Sequence, residues 1–304
     1  MTRRHRKPAR LSSRARRTLL GVAMLAVLAP VTGVALASAI GDVNQCRETV
    51  ALEVAAAPEI APVLREHAAD WSSAARPSQG TCVSVTVTAI DSVSVAMAYA
   101  NAAGLDLDVG DAQIQPVELP DVWIPESLLW PARLGGDLGG RLSDRIDPVA
   151  ASPVGFGVDD AQLDAVFEGT PLDTVAVSLS DPRYDTASLA LLMVAQEYGI
   201  SLRNDADGVT PMSAAEVTAQ RLAGNESGPT FVSPQPNVAT FEYPYIAWSD
   251  DTGATKRGVE VFRSSLLTNA FTDRLTQYNL QVAGPYPAMP DVEVIERALA
   301  DWRS

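Results

Sequence analysis

Segments typical of β-strands alternate with segments typical of α-helices through the first half of the chain, and this order constrains the fold most. The strand segments are β-branched or alternate between apolar and polar residues, and the helical segments carry apolar residues at helical spacing. Asp91 can cap the second helix. The order favours an α/β fold with a parallel sheet and helices on its faces. The strands are predicted at 49–54, 82–90 and 120–125, and the helices at 60–71 and 92–102.

The second half of the chain continues this mixture of strands and helices. The helix at 259–278 is expected to be long and amphipathic, and Gly199 should end the helix that precedes it in sequence. Extended segments are predicted at 147–158, 172–179 and 239–248, helices at 186–198, 212–223 and 259–278, and the segment 291–302 closes the chain.

The N-terminal segment predicts export. The first seventeen residues carry eight Lys or Arg and no acid, and an uncharged run follows from Thr18 to Ile40. This layout is typical of a secretory signal, and small residues at 35–39 fit a cleavage site. The run is also long enough to span a bilayer. Residues 1–40 are therefore expected to be a signal peptide or an N-terminal membrane anchor. Either one places the remainder on the extracellular face of the cell membrane, anchored or secreted.

The remainder of the chain is strongly acidic. The chain has 23 Lys and Arg against 37 Asp and Glu. Without the eight N-terminal basic residues the balance is 15 − 37, a net charge of −22. Such a chain repels phosphate backbones and anionic lipids. We therefore expect no nucleic-acid partner, and membrane contact only through the N-terminal segment.

The chain has two cysteines, Cys46 and Cys82. An even pair in an exported chain favours a disulfide. Cys46 precedes the first predicted strand and Cys82 starts the second, and neighbouring parallel strands can bring such positions within bonding distance. The alternative is a lipid anchor on Cys46, but residues 42–45 lack the Leu and the small residues that such a site requires.

Beyond residue 40 the sequence offers no motif for catalysis, for a metal or for a nucleotide cofactor. His67 is the only histidine there, and it lies on an apolar helical face. There is no Gly-x-Ser-x-Gly motif and no zinc-ligand spacing. Asp106, Asp108 and Asp111 are similar to the start of a calcium loop, but Val117 stands where its twelfth position needs an acid. We therefore expect a protein that is not an enzyme, with no cofactor and no metal.

Three short segments carry a resemblance to a known family. They read Leu-Glu-Val-Ala-Ala-Ala-Pro-Glu at 52–59, Pro-Asp-Val-Trp-Ile-Pro-Glu-Ser at 120–127 and Phe-Glu-Tyr-Pro-Tyr-Ile-Ala at 241–247. With the apolar residues of the helix at 259–278, they resemble type 2 periplasmic binding proteins, most nearly the molybdate- and sulfate-type extracellular solute-binding proteins. The segment 120–127 is also similar to a domain that precedes von Willebrand factor A domains in actinobacterial membrane proteins.

The resemblance implies two α/β lobes joined by two crossover strands. The first lobe would hold residues 46–150 and 245–304, and the second would hold residues 151–244. The extended segments at 148–158 and 241–248 would run side by side between the lobes. The length of the chain after residue 40 also suits two small lobes or one large one.

In this fold a ligand lies between the lobes, at the carboxyl ends of strands and the starts of helices. The loops at 55–59, 91–94, 124–127 and 180–188 would then face the cleft. For most of the candidates a structural role is the alternative: helix capping for Thr186 and Ser188, and core packing for Trp123 and Tyr243. The candidate ligand-binding residues are Ser92, Ser94, Trp123, Ser127, Thr186, Ser188 and Tyr243.

Carboxylates beside these loops indicate the charge of the ligand. Oxyanion binders of the family place Ser or Thr at the first helix start, where this chain has Ala57-Pro58 followed by Glu59. Asp91 and Glu126 adjoin the next two loops. Each carboxylate would oppose a bound dianion by about 1 kcal/mol or more, so a neutral or cationic solute is expected. Alternatively, Glu59 and Asp91 cap their helices and face solvent.

Two kinds of function follow from these observations. The first is a non-catalytic solute-binding protein that holds a small polar solute in the interlobe cleft and serves an ABC transporter permease or a surface sensor. The second is a membrane-anchored envelope interaction protein that kept this fold but lost the ligand, with another envelope protein as its partner.

Overall fold

The computed structural model describes residues 46, 48–73, 81–135, 146–224, 228–248, 253–284 and 289–302. The predicted export segment, residues 1–40, lies outside these ranges. Within them, no helix is long and apolar enough to cross a membrane.

Nine strands and eight α-helices make up the described part of the chain. The strands are β1 (Glu48–Ala56), β2 (Thr81–Ala89), β3 (Val122–Ile124), β4 (Asp147–Val158), β5 (Ala176–Val177), β6 (Arg203–Asn204), β7 (Thr210–Ser213), β8 (Thr230–Val232) and β9 (Ala239–Ala247). The helices are α1 (Ala61–Ser73), α2 (Ser92–Ala103), α3 (Leu129–Arg133), α4 (Thr186–Tyr198), α5 (Ala214–Leu222), α6 (Gly253–Ser265), α7 (Asn269–Leu275) and α8 (Val292–Trp302).

The predicted parallel sheet forms at one end of a larger mixed sheet. Strand β1 pairs in parallel with β2 on one side and with β3 on the other. Strand β9 then pairs antiparallel with β3, β4 pairs antiparallel with β9, and both β7 and β8 pair antiparallel with β4. The α/β class is confirmed, and the sheet changes from parallel to antiparallel at β9.

The two extended segments predicted to run side by side form β4 and β9. They pair from Asp147 opposite Tyr245 to Val154 opposite Ala239. Along β9, Phe241 packs into one apolar core whereas Tyr243 packs into another. The paired strands thus connect two separate cores, as expected for a two-lobed fold.

Each core combines one part of the sheet with its own helices. The first core buries β1 against α1, α6 and α7, and a further cluster packs Trp123 and Trp130 with α2 on the other face of the sheet. The second core packs the end of β4 against α4 and α8. Helix α8 therefore contacts the second core, although the resemblance assigns residues 245–304 to the first lobe. The lobe boundaries at 150/151 and 244/245 stay predictions.

Some predicted elements differ in the structure. The helix predicted at 259–278 is wrong as one element, because α6 ends at Ser265 and α7 begins at Asn269. At this break the Ser265 hydroxyl donates to the carbonyl of Phe262 at 2.7 Å and the Thr268 hydroxyl to that of Ser265 at 2.7 Å. Such local bonds compete with the helix.

Two other predicted boundaries shift for similar reasons. Most of the strand predicted at 172–179 is a turn, since Thr174 donates to the carbonyl of Pro171 at 2.7 Å and only β5 remains extended. The helix predicted at 212–223 begins later, because Ser213 belongs to β7 and caps α5 by accepting from the Glu216 N–H at 3.0 Å. Helix α4 agrees with its prediction and ends at Gly199, which has a φ of 64°.

The predicted disulfide between Cys46 and Cys82 is confirmed. The two Cα atoms are 5.4 Å apart, and the bond closes a sequence separation of 36 residues. Cys82 lies at the start of β2, opposite Thr49 of β1, so the bond ties the chain before β1 to the neighbouring parallel strand.

Candidate functional site

A cavity of about 1010 Å³ lies where α2 and α4 begin. Its walls come from the turn after β1, the loop after β3, the starts of α2 and α4, and one face of α5. The carboxyl ends of β1, β2 and β3 lead into it, because parallel strands end at the same edge of a sheet. This position matches the cleft expected from the sequence.

Glu126 lies at the centre of the polar contacts in this cavity. Its Oε1 accepts hydrogen bonds from Trp130 Nε1 and from Thr186 Oγ1, each at 2.6 Å. Its Oε2 accepts a hydrogen bond from the Ser92 hydroxyl. Ser92 opens α2 and Thr186 opens α4. One carboxylate therefore links two helix starts that lie 94 positions apart in the sequence.

Glu59 lies in the turn between β1 and α1 and faces the cavity rather than solvent. It is 9% exposed and accepts a hydrogen bond from the Tyr243 hydroxyl at 3.1 Å. Burial, and then repulsion by Glu126, raises the pKa of Glu59 to about 8. The alternative in which Glu59 faces solvent is therefore wrong. Asp91 does stand exposed at the N-cap of α2, where its side chain makes no capping hydrogen bond.

Asp185 and Glu216 also line the cavity, and sequence reasoning missed both. Asp185 caps α4 by accepting from the Ser188 N–H at 2.7 Å, and burial raises its pKa. Burial, and then repulsion by Asp185, raises the pKa of Glu216 to about 7. The spacing of Ser213 and Glu216 is a helix-start signal, but α5 is brought to the cleft by distant contacts, namely the pairing of β7 with β4 and the hydrogen bond from the Ala215 N–H to Ser152.

The predicted ligand-binding residues divide into three groups. Ser92 and Thr186 line the cavity. The hydroxyls of Ser94 and Ser188 instead accept backbone N–H groups, from Gln115 at 3.0 Å and from Ser180 at 3.1 Å, and neither residue lines the cavity. They position the loops beside the site.

The other three candidates lie away from the cavity surface. Ser127 accepts from the Leu129 N–H at 3.2 Å and lines a second cavity of about 610 Å³ between α4, β9 and α8. Trp123 is fully buried and stacks on Tyr99, with ring centroids 5.2 Å apart. Tyr243 is fully buried, and its hydroxyl donates to the lining residue Glu59. Direct contact of these three with a ligand stays a prediction.

The charge of the described cavity lining is entirely negative. Six acids lie in it and no Lys, Arg or His does. Arg183, next to the lining residue Tyr184 in sequence, pairs with Asp181 at 2.5 Å and with Asp108 at 3.4 Å. Aromatic side chains, Tyr184, Phe241 and Tyr278, complete the walls. The six acids are Glu59, Asp91, Asp111, Glu126, Asp185 and Glu216.

These carboxylates come from different elements, and Glu59, Asp185 and Glu216 each lie close enough to Glu126 for mutual repulsion. In the described ranges, no group of three or more His, Cys, Asp or Glu side chains is placed to hold a metal ion. A large cavity with carboxylates and aromatic walls can hold an organic solute, and aromatic faces also attract cations.

Comparison with solved structures shows the fold. A periplasmic thiamin binding protein is similar with a TM-score of 0.54 at 12% identity, covering 83% of this chain and 95% of its own. The periplasmic binding protein AfuA from Actinobacillus pleuropneumoniae, solved with exogenous fructose-6-phosphate, is similar with a TM-score of 0.51 at 13% identity. The match covers 83% of this chain and 97% of AfuA. No family model matches the chain, and no curated protein does. The chain has the two-lobed fold of type 2 periplasmic binding proteins.

Proposed function

We propose that this chain is an extracytoplasmic, non-catalytic solute-binding protein that holds a small polar solute between its two lobes. The observation that carries this proposal is the cavity of about 1010 Å³ at the starts of α2 and α4, which combines hydroxyls, carboxylates and aromatic walls. Its size falls at the upper end of the range common for small-molecule sites. Both similar structures are periplasmic binding proteins by name.

The solute is neutral or cationic. The described lining has six acids and no basic residue, and those of its carboxylates that are ionised near pH 7 oppose an anion. Glu59 and Glu216, with pKa values of about 8 and about 7, also hold protons that can be donated to a neutral solute near pH 7. The molybdate- and sulfate-type branch suggested by the sequence resemblance thus gains no support from the charge of this cavity.

A binding role rather than a catalytic one fits the position of the histidine. His67 lies against Ser265, with Nε2 and Oγ 3.0 Å apart, and its ring meets the edge of Phe271. It packs in the first core and is not part of the cavity lining. We place the protein outside the cell membrane, with membrane contact through residues 1–40 and with an ABC transporter permease or another envelope protein as its partner.

One observation favours the second candidate, an envelope interaction protein that kept the fold but lost its ligand. Glu126 already joins Ser92 and Thr186 across the cavity. A cleft that is held together by its own side chain does not need a solute to close. A transporter-coupled binding protein, in contrast, must change shape when solute binds.

Thermal unfolding in the presence of small solutes separates these candidates. We expect stabilisation by a polar cation or a neutral polar solute, and none by sulfate, phosphate or molybdate. At one hundred times its Kd a solute adds about 2.7 kcal/mol, which raises the Tm of a protein of this size by on the order of 5 °C. Choline and its neutral isostere 3,3-dimethylbutan-1-ol form one matched pair for the panel.

The pattern of responses decides between the outcomes. Stabilisation by an oxyanion stronger than that by any cation or neutral solute would contradict the charge argument. No stabilisation across sugars, amines, amino acids and oxyanions would favour the envelope interaction protein over the solute-binding protein.

A further inference from the structure

Two helices begin on facing walls of the cavity, and each presents a hydroxyl there. Helix α2 has 12 residues and opens with Ser92, and α4 has 13 residues and opens with Thr186. The N-terminus of a helix carries partial positive charge and attracts anions. Two such ends with hydroxyl donors form an arrangement that suits an anion between them.

The group found between these two helix starts is the carboxylate of Glu126. It accepts hydrogen bonds from Ser92, from Thr186 at 2.6 Å and from the Trp130 indole at 2.6 Å. Trp130 is 2% exposed, so the core fixes the third donor in place. Donors from three helices therefore converge on one carboxylate, which is a favourable environment for negative charge.

Helix capping does not explain these contacts. Asp91 and Asp185 occupy the N-cap positions of α2 and α4, and Asp185 already caps α4 through the Ser188 N–H. The N-cap position of α3 belongs to Leu128, so Glu126 does not cap its own helix. Glu126 is half-buried and lines the cavity, where a solute can reach it.

We infer that Glu126 is an internal anion: it occupies the position between the two helix starts, joins the facing walls of the cleft without a solute, and makes the cleft reject oxyanions. The inference rests on the proposed function only in taking this cavity as the binding site. It identifies Glu126 as a specificity-determining residue. Replacing Glu126 by a small side chain should convert the cleft into an oxyanion site, because three donors would lose their acceptor.

The charged groups around Glu126 set the conditions for a test. Glu59, Asp185 and Glu216 face it from the turn after β1, from the start of α4 and from α5, and Asp91 and Asp111 also belong to the described lining. Below pH 7 the two groups with pKa values of about 8 and about 7, Glu59 and Glu216, are mostly protonated. A test at pH 6 therefore keeps their repulsion of an added anion small.

The experiment compares sulfate binding by wild type and Glu126→Ala at pH 6, measured by calorimetry and thermal unfolding. We expect sulfate to bind Glu126→Ala at least about tenfold more tightly than wild type. Glu126→Gln should not gain sulfate binding, because its amide keeps the same volume, its oxygen can still accept from Thr186 and Trp130, and its NH2 group can donate to the Ser92 hydroxyl oxygen. Glu296→Ala removes one carboxylate from the exposed side of α8 and is the matched control, with no gain expected.

Scattering in solution provides a second readout that does not depend on Glu126→Ala folding well. Thr186→Val removes the donor on the α4 wall and keeps the side-chain shape. Without solute it should have a larger radius of gyration than wild type, whereas the control Thr218→Val, whose hydroxyl donates to the Ala214 carbonyl within α5, should not. For Glu126→Ala, added sulfate should return the radius of gyration toward the wild-type value.

The outcomes separate this inference from the proposed function. Equal sulfate affinities of wild type and Glu126→Ala, or no sulfate binding by either, would overturn the role of Glu126, as would an unchanged radius of gyration in Thr186→Val. If Glu126→Ala gains no sulfate affinity while wild type binds a cation or a neutral solute, the role of Glu126 fails and the proposed function stands. If Glu126→Ala gains sulfate and wild type binds no solute of the panel, the role of Glu126 stands and solute binding fails.

Discussion

Raising the pH from 5 to 8 is expected to destabilise the wild-type protein, and Glu59→Gln is expected to remove a large part of this dependence. The folded-state pKa of Glu59 is about 8, against 4.5 for an ordinary glutamate side chain. Between these two values the folded protein holds a proton that the unfolded chain has lost, so stability falls as the pH rises. For Glu59 alone this difference corresponds to on the order of 4 kcal/mol.

Urea unfolding of both proteins at pH 5, 6.5 and 8 measures this effect. Glu216, with a pKa of about 7, also lowers the free energy of unfolding as the pH rises. His67 acts in the opposite direction: because burial lowers its pKa to about 4, it lowers the free energy of unfolding as the pH falls below 6.5. The difference between wild type and Glu59→Gln isolates the contribution of Glu59. Glu296→Gln, on the exposed side of α8, is the matched control. If the stability of Glu59→Gln depends on pH as strongly as that of wild type, Glu59 does not hold a proton in the folded protein between pH 5 and 8.

Loss of the disulfide is expected to lower the free energy of unfolding by about 4 kcal/mol. The bond between Cys46 and Cys82 closes a loop of 36 residues, and in the chain-entropy model a cross-link of this span restricts the unfolded chain by that amount. Among the described strands, β2 is at the edge of the sheet and pairs with β1 alone, so the bond also holds an edge strand in place.

Urea unfolding of wild type, with and without reductant, and of the double variant Cys46→Ser/Cys82→Ser measures this contribution. Reduced wild type and the double variant should agree with each other and unfold at lower urea than oxidised wild type. If the free energies of unfolding of oxidised and reduced protein differ by less than about 1 kcal/mol, the disulfide does not restrict the unfolded chain as much as the loop length indicates.

Local patterns predicted the elements that depend on few distant contacts. Strands β1 and β2 follow from their β-branched alternation, and α4 follows from its apolar spacing and from Gly199, which suits the left-handed conformation at its end. The pairing of β4 with β9 was predicted as well, but on the basis of family resemblance rather than local pattern.

Elements and site residues that depend on tertiary contacts were harder to predict. The break between α6 and α7 depends on hydroxyls that prefer local backbone bonds, and the amphipathic pattern continues across it. Glu216 reaches the cleft because β7 and α5 both contact β4, which is far away in sequence. Ser94 was a reasonable ligand candidate from its position, but its hydroxyl accepts the Gln115 N–H, a contact that no local pattern encodes.

The central claim is that solute binds in the cavity between α2, α4 and α5. Ala219 lies on α5 and lines this cavity, so Ala219→Trp would place an indole inside it. Ala300→Trp, on the exposed side of α8, is the matched control. The measurement is calorimetric titration of both variants and of wild type with the solute that stabilises wild type most. The expected result is binding of one solute per chain by wild type and by Ala300→Trp, with binding lost in Ala219→Trp. Unchanged affinity in Ala219→Trp would contradict the claim and would place the solute elsewhere on the protein.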